Sequence, residues 1–166
     1  MSENLSTREK ERSQLRRQMA IQHQIERLMN TLIRSVKQLV DDTQIAESNM
    51  EKHQLKNLLN VALESPSVEV VKHYILYQMG RDTAGTSWRY RQFGERLIKH
   101  LDELGKTETE LVLGAISAEG KPAGSAPYFT EKDEIWHQLV RAYLGQLNRY
   151  FYYAKEKSRW PQETSG

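Results

Sequence analysis

Residues 70–104 read VVKHYILYQMGRDTAGTSWRYRQFGERLIKHLDEL, and this stretch decides the fold. Tyr74, Ile75, Tyr77, Gln78, Met79, Gly80 and Arg81 close one helical pattern, and Trp88, Arg89, Tyr90, Arg91, Phe93, Gly94, Arg96 and Leu97 begin another. The small polar residues between them, Asp82-Thr83-Ala84-Gly85-Thr86, suit a turn at which the second helix folds back on the first. The fourth helix of the chain is expected over about 87–104, with Leu97, Ile98, Leu101 and Leu104 inward and Gly105 as its C-terminal stop. Gly94 inside it costs about 1 kcal/mol relative to alanine, which suggests a close approach of another backbone or a ligand.

The same periodicity extends in both directions. Ser6 with Glu9 forms a capping-box pattern. Leu15, Met19, Gln22, Ile25, Met29, Leu32, Val36 and Leu39 then alternate steps of three and four, which predicts an amphipathic helix of roughly 30 residues, about 45 Å long. Its first turns carry Arg8, Lys10, Arg12, Arg16 and Arg17 with little apolar surface, so they are expected to project from the body or fray. Ser48 with Glu51 offers a second capping box before Leu55, Leu58, Leu59, Ala62 and Leu63, and Ser65-Pro66 opens a third helix over about 66–81. Thr107 with Glu110 starts a short fifth helix that ends near Gly120. A Pro- and Gly-rich loop over 120–129 follows, and Thr130 with Asp133 opens a last helix through Ile135, Trp136, Leu139, Tyr143, Leu147 and Phe151 to about Lys157. No strand alternation is present. The reading is an all-α, single-domain bundle of about six helices over 1–157, with a long N-terminal helix and a flexible tail over 158–166.

Composition narrows the function. The 166 residues suffice for one domain with a core of its own, and the absence of cysteine removes disulfide frameworks, thiol nucleophiles and thiolate metal sites together. No apolar run approaches the roughly 20 residues of a membrane span, so no membrane partner is expected and a cytoplasmic location is. Net charge is only +2, but it is segregated: residues 8–17 hold five bases against two acids, 81–100 five against two, and 141–159 five against one. Acid gathers in 41–69 and 101–134. Such segregation builds a basic face on a nearly neutral protein, or it reflects ordinary solvated helix faces.

Phosphate-binding loops, dinucleotide fingerprints, nucleophile elbows and zinc motifs are all missing, so no cofactor, metal or catalytic residue is assigned and no enzyme is expected. Glu134-Ile135-Trp136-His137 has the spacing of bundle carboxylate metal sites, but the second copy and the two further glutamates those sites need are lacking; an exposed polar pair is the simpler reading. Arg81, Arg89, Arg91 and Arg96, with Lys99 one turn on, flank the central turn, Arg89 and Arg96 standing a heptad apart. Guanidinium groups so placed suit phosphate oxygens; the alternative is pairing with Asp82, Glu95 and acids of neighbouring helices. Tyr150-Phe151-Tyr152-Tyr153 covers nearly every direction around a helix at about 100° per residue, so the run cannot all enter one core. Tyr150, Tyr152 and Tyr153 are therefore candidate protein-interface residues, with base stacking as the other use.

Tyr77-Gln78-Met79-Gly80-Arg81, then Trp88 and Phe93-Gly94, in a helical protein of this length, resembles the small subunit of type III CRISPR effector complexes. The resemblance implies a non-catalytic, RNA-binding subunit. It would stack in copies beside the guide-bearing backbone subunits and hold the guide–target duplex through basic side chains, a role carried onto Arg81, Arg89 and Arg91 with Arg96 and Lys99 in support. A helical adaptor or oligomerising protein that binds partner proteins and no nucleic acid is the competing reading. A stand-alone nucleic-acid-binding regulator is the third.

Overall fold

The last helical pattern in the chain is also its most buried. In α6 (Tyr128–Lys157), Ile135, Leu139, Val140, Tyr143, Leu144, Leu147 and Phe151 are all 2 % exposed or less. That arc is wider than one neighbour covers, so α6 is expected to pack on more than one side. A computed structural model describes residues 2–116 and 128–163 and bears this out: α6 packs along both α1 (Ser2–Thr43) and α2 (Lys52–Glu64), and also against α3 (Val68–Arg81) and α5 (Thr109–Ile116). With α4 (Phe93–Glu103) the set completes an all-α bundle; the described residues hold no strand. The loop expected over 120–129 lies outside the described residues up to 127, and α6 begins at Tyr128, before the expected Thr130 start.

Several polar side chains of α6 are spent on backbone carbonyls. His137 Nε2 lies 3.0 Å from the Ala62 carbonyl, which also accepts from Arg141 Nε at 2.9 Å, while Arg141 Nη2 reaches Leu63 O at 3.4 Å. These are the last carbonyls of α2, which have no intrahelical partner and sit at the negative end of the helix dipole. Further along, the buried Lys155 donates to Ser48 O at 2.6 Å, in the turn that precedes α2. That turn is built by Ser48, whose hydroxyl donates to Ile45 O and accepts from Met50 N. Glu51 then takes the N-cap position expected of Ser48, and Gln54 Oε1 accepts from Glu51 N. Likewise Ser67, not Ser65, caps α3 by accepting from Val70 N.

α1 is longer than expected, and its buried face is rotated. Ile21, Ile25, Leu32, Val36, Leu39 and Val40 are buried, whereas Leu15 and Met19 are 57 % and 64 % exposed. An alternating three-four pattern drifts around a straight 3.6-residue helix, and six residues of 100° carry Met19 about 120° from Ile25. Arg17 takes the inward place at that level. Its guanidinium meets Glu131 with two bonds, Nη2–Oε1 at 2.6 Å and Nε–Oε2 at 2.9 Å, and donates from Nη1 to Ile116 O at the end of α5. Residues 6–12 before it are all exposed.

Gly105 does not end a helix. α4 and α5 are joined by a π-helical turn, Leu104–Glu108, so that residues 93–116 run as one helical segment. In a π turn the backbone bonds reach one residue further, and the displaced carbonyls need other partners. Leu101 O accepts from the Trp136 indole at 2.8 Å, and Leu104 O accepts from both the amide and the hydroxyl of Thr109. The glycine is there for the indole: a Cβ at Gly105 would lie 2.9 Å from Trp136 Cε2 and 3.0 Å from Nε1. Gly94 is similarly crowded, by Met79 Cγ and Sδ at 2.6 Å and by Trp88 O at 3.0 Å. The two glycines differ in what must yield. Met79 ends in a flexible thioether, whereas Trp136 is held by its hydrogen bond, so Gly105→Ala is expected to cost about 1–3 kcal/mol and Gly94→Ala less. Urea unfolding of both variants checks this; equal costs would mean that the indole has room to move.

Candidate nucleic-acid interface

Helix α3 ends at Arg81, and Asp82 then organises everything up to α4. Its carboxylate accepts from three backbone amides, Thr86 N on Oδ1 at 3.2 Å and Ser87 N and Arg89 N on Oδ2 at 3.0 and 2.8 Å; its own carbonyl accepts from Arg89 Nη1 at 3.1 Å. Short polar side chains that bond nearby amides are the usual reason aspartate begins a turn. Burial alone would raise this carboxyl, but the amides of Arg89, Ser87 and Thr86, aided by the Arg89 charge, outweigh it and hold the group below its ordinary range.

Helix α4 therefore starts later than the periodicity predicts. Trp88 is buried in the loop, 2 % exposed and 6.2 Å ring to ring from Phe93, and the chain passes through a short 3-10 turn, Tyr90–Gln92, before α4. Arg91 and Gln92 both have positive φ, 45° and 62°. Left-handed conformations cost non-glycine residues about 1–2 kcal/mol each. A third such residue, Gln44 at the end of α1 with φ 53°, accepts a hydrogen bond from Arg91 Nη1, so two of the strained positions are tied to each other. Backbone strain that a structure maintains is a pointer to function.

Arg81, Arg89, Arg91, Arg96 and Lys99 are all exposed. None takes part in an ion pair among the described residues, whose pairs use Arg17, Lys52, Lys72, Lys132 and Arg159. Arg89 and Arg91 are nevertheless held, by Asp82 O and by Gln44. Arg81 lies over the Tyr77 ring at 5.5 Å. Arg96 and Lys99 stand three apart on α4, and both lower the pKa of His100 after the larger effect of its burial. The heptad relation of Arg89 to Arg96 does not survive, because Arg89 precedes the helix. Unpaired bases occur elsewhere, Arg27 and Arg34 among them; what distinguishes 81–99 is five bases gathered at the end of α3, on the braced loop and on the first turns of α4.

The aromatic run divides as its spacing requires. Phe151 is fully buried, Tyr152 and Tyr153 are 53 % and 44 % exposed, and Tyr150 lies between. Tyr150 faces α1, donating to Asp41 Oδ1 at 2.8 Å under Lys37, and its burial together with the Asp41 bond pushes the phenol up to about 12. It is committed inside the fold. Tyr153 instead meets the exposed Trp160 edge-on at 6.0 Å, and Lys52 lies 4.2 Å over Tyr152. The segment expected to be loose from 158 is therefore held as far as Trp160, whose amide donates to Lys157 O.

The metal-like spacing resolves differently. His137 is buried on Ala62 O while Glu134 is exposed, so they form no exposed polar pair. No cluster of potential metal ligands occurs among the described residues, and none of their helices is long and apolar enough to cross a membrane.

One feature has no sequence signal. A cleft of about 460 Å³ opens between α2, α3 and the loop, lined by His53 and Asn57, by Tyr74, Gln78 and Arg81, and by Trp88. Three separate segments supply it, and only the fold brings them together. No family model, curated protein or solved structure matches the chain.

Asp82→Ala is expected to lower stability by about 1–2 kcal/mol, the range for losing a strong cap. The pH dependence carries a sign. With the native carboxyl depressed below its ordinary 3.8, its contribution is fully present above pH 3.8 and is lost as pH falls through the lower native value. Wild type should thus lose more stability than the variant across that acid window. Chemical unfolding at several pH values measures it, and parallel curves would show that the carboxylate does not carry the loop.

Proposed function

We propose that the protein is a non-catalytic, cytoplasmic RNA-binding subunit of a CRISPR ribonucleoprotein effector complex. It contacts the guide–target duplex backbone through Arg81, Arg89, Arg91, Arg96 and Lys99, and it assembles with other protein subunits and copies of itself. The observation that carries the nucleic-acid reading is the cluster on and beside the braced turn: five exposed bases without ion pairs, two of them, in the turn itself, fixed by bonds to Asp82 and Gln44. Such groups meet phosphates with little ordering cost, because the loop is already held. The effector-complex assignment draws on the resemblance around Gln78-Met79-Gly80-Arg81 and Phe93-Gly94.

Arg81, Arg96 and Lys99 accept removal most readily, since no hydrogen bond of theirs holds the fold. The triple variant Arg81→Ala, Arg96→Ala, Lys99→Ala should melt within a few degrees of wild type. On a labelled RNA duplex its slope of log K against log salt should be shallower by about two to three, at about 0.7–0.9 per lost phosphate contact. Unchanged slopes with both proteins folded would remove these bases from the interface.

The adaptor reading keeps one specific observation: Tyr152, Tyr153 and Trp160 place three exposed rings on neighbouring positions. Replacing Tyr152 and Tyr153 by serine should weaken self-association in light scattering without loss of helicity, because Phe151 carries the core at that level. Association that persists unchanged would assign the contact elsewhere.

A further inference from the structure

The cleft between α2, α3 and the loop is polar where two packed helices would ordinarily be apolar. Asn57, His53 and Gln78 face it with side chains that have no hydrogen-bond partner among the described residues, and Trp88, from its loop wall, brings a buried indole N–H that is also unpartnered. A buried donor left without an acceptor is uncommon, and this one lies in the wall of the cleft. The volume, about 460 Å³, falls inside the roughly 300–1,000 Å³ range of small-ligand clefts.

The chemistry of the lining selects among ligands. Carboxamides offer one acceptor and two donors each, the pattern that matches the edges of nucleobases. Tyr74, half-buried, adds the aromatic ring in the lining, the kind of side chain on which unpaired bases lie in RNA-binding proteins. A simple anion fits poorly, because Arg81 is the one permanent cation in the lining and the Asp82 carboxylate shares the wall. Arg81 is at the same time one of the exposed bases of the phosphate-binding turn, so a backbone phosphate held there leaves its base beside the cleft. We infer that the cleft receives one unpaired nucleobase of the bound RNA, held at its edge by Asn57 and Gln78 while its phosphate rests on Arg81. The choice of a nucleobase rests on the RNA reading above.

The two ideas separate in experiment. The isotopically labelled full chain is titrated with AMP, GMP, CMP and UMP, and with inorganic phosphate as control, while the Trp88 indole and the Asn57 and Gln78 side-chain amides are followed by NMR. At least one nucleotide should move these resonances and inorganic phosphate should not. Asn57→Ala with Gln78→Ala, both on solvent-accessible helix positions, should weaken that nucleotide by about thirtyfold, two hydrogen bonds of roughly 1 kcal/mol each. The same double variant should leave the salt slope on duplex RNA unchanged. Nucleotides and phosphate acting alike would reduce the cleft to an anion site and overturn the inference. So would silence at all three residues, or an unaltered affinity in the double variant. A steep RNA salt slope alongside those failures would leave the arginine interface standing without the base site. Nucleotide binding without RNA binding would do the reverse.

Discussion

Enclosure of α6 is the constraint from which most of the structure follows. A helix surrounded by neighbours gains about 1.5–3 kcal/mol for each large apolar side chain it hides, but any polar group it brings along must be satisfied. His137, Arg141 and Lys155 meet that condition by serving backbone carbonyls at the two ends of α2. The arrangement fixes α2 lengthwise as well as laterally, since apolar contacts alone would tolerate sliding by a turn. Arg17 does the same for α1 and α5 through Glu131 and Ile116 O.

The basic side chains consequently fall into two kinds. Arg17, Arg141 and Lys155 are structural cations, mostly covered and spent on backbone or a single carboxylate. Those of 81–99 lie on and beside a loop ordered by Asp82 and two left-handed residues, with Arg81 ending α3 and Arg96 and Lys99 in α4, and none is spent on a carboxylate. An exposed ion pair is worth about 0–1 kcal/mol, and leaving these bases unpaired therefore sacrifices little stability.

Sequence and structure agree wherever a pattern is local and long. The apolar arc of α6, the α2 stripe of Leu55, Leu58 and Ala62, and the break at Ser65-Pro66 all read directly as helices and ends. Misreadings arise where a tertiary partner overrides a local signal. Gly105 reads as a helix stop but admits the ring of Trp136; Leu15 and Met19 look apolar and inward but lie exposed, with no covering helix among the described residues; Trp88 reads as helical and is instead drawn into the core from a loop. The bases of the candidate interface could be listed from sequence, since charge next to a turn is visible there. Their freedom from ion pairs could not, because it depends on where the acids of other helices fall. The cleft was illegible for a further reason: Asn57 and Gln78 are unremarkable residues until α2 and α3 lie side by side.

The place of α6 in chain order has a kinetic consequence. Its bonds to Ala62, Ser48 and Arg17 span 75, 107 and 114 residues, so the core closes only by large loops. Loop closure must be completed before such contacts repay its entropy, which slows folding. During synthesis α1 and α2 emerge with Ile25, Leu32, Leu55 and Leu58 uncovered, and they stay so until residues 135–151 have left the ribosome. A chain built this way passes through a sticky, half-made bundle. Its yield at high expression should be governed by how quickly its final helix arrives rather than by how stable the finished bundle is.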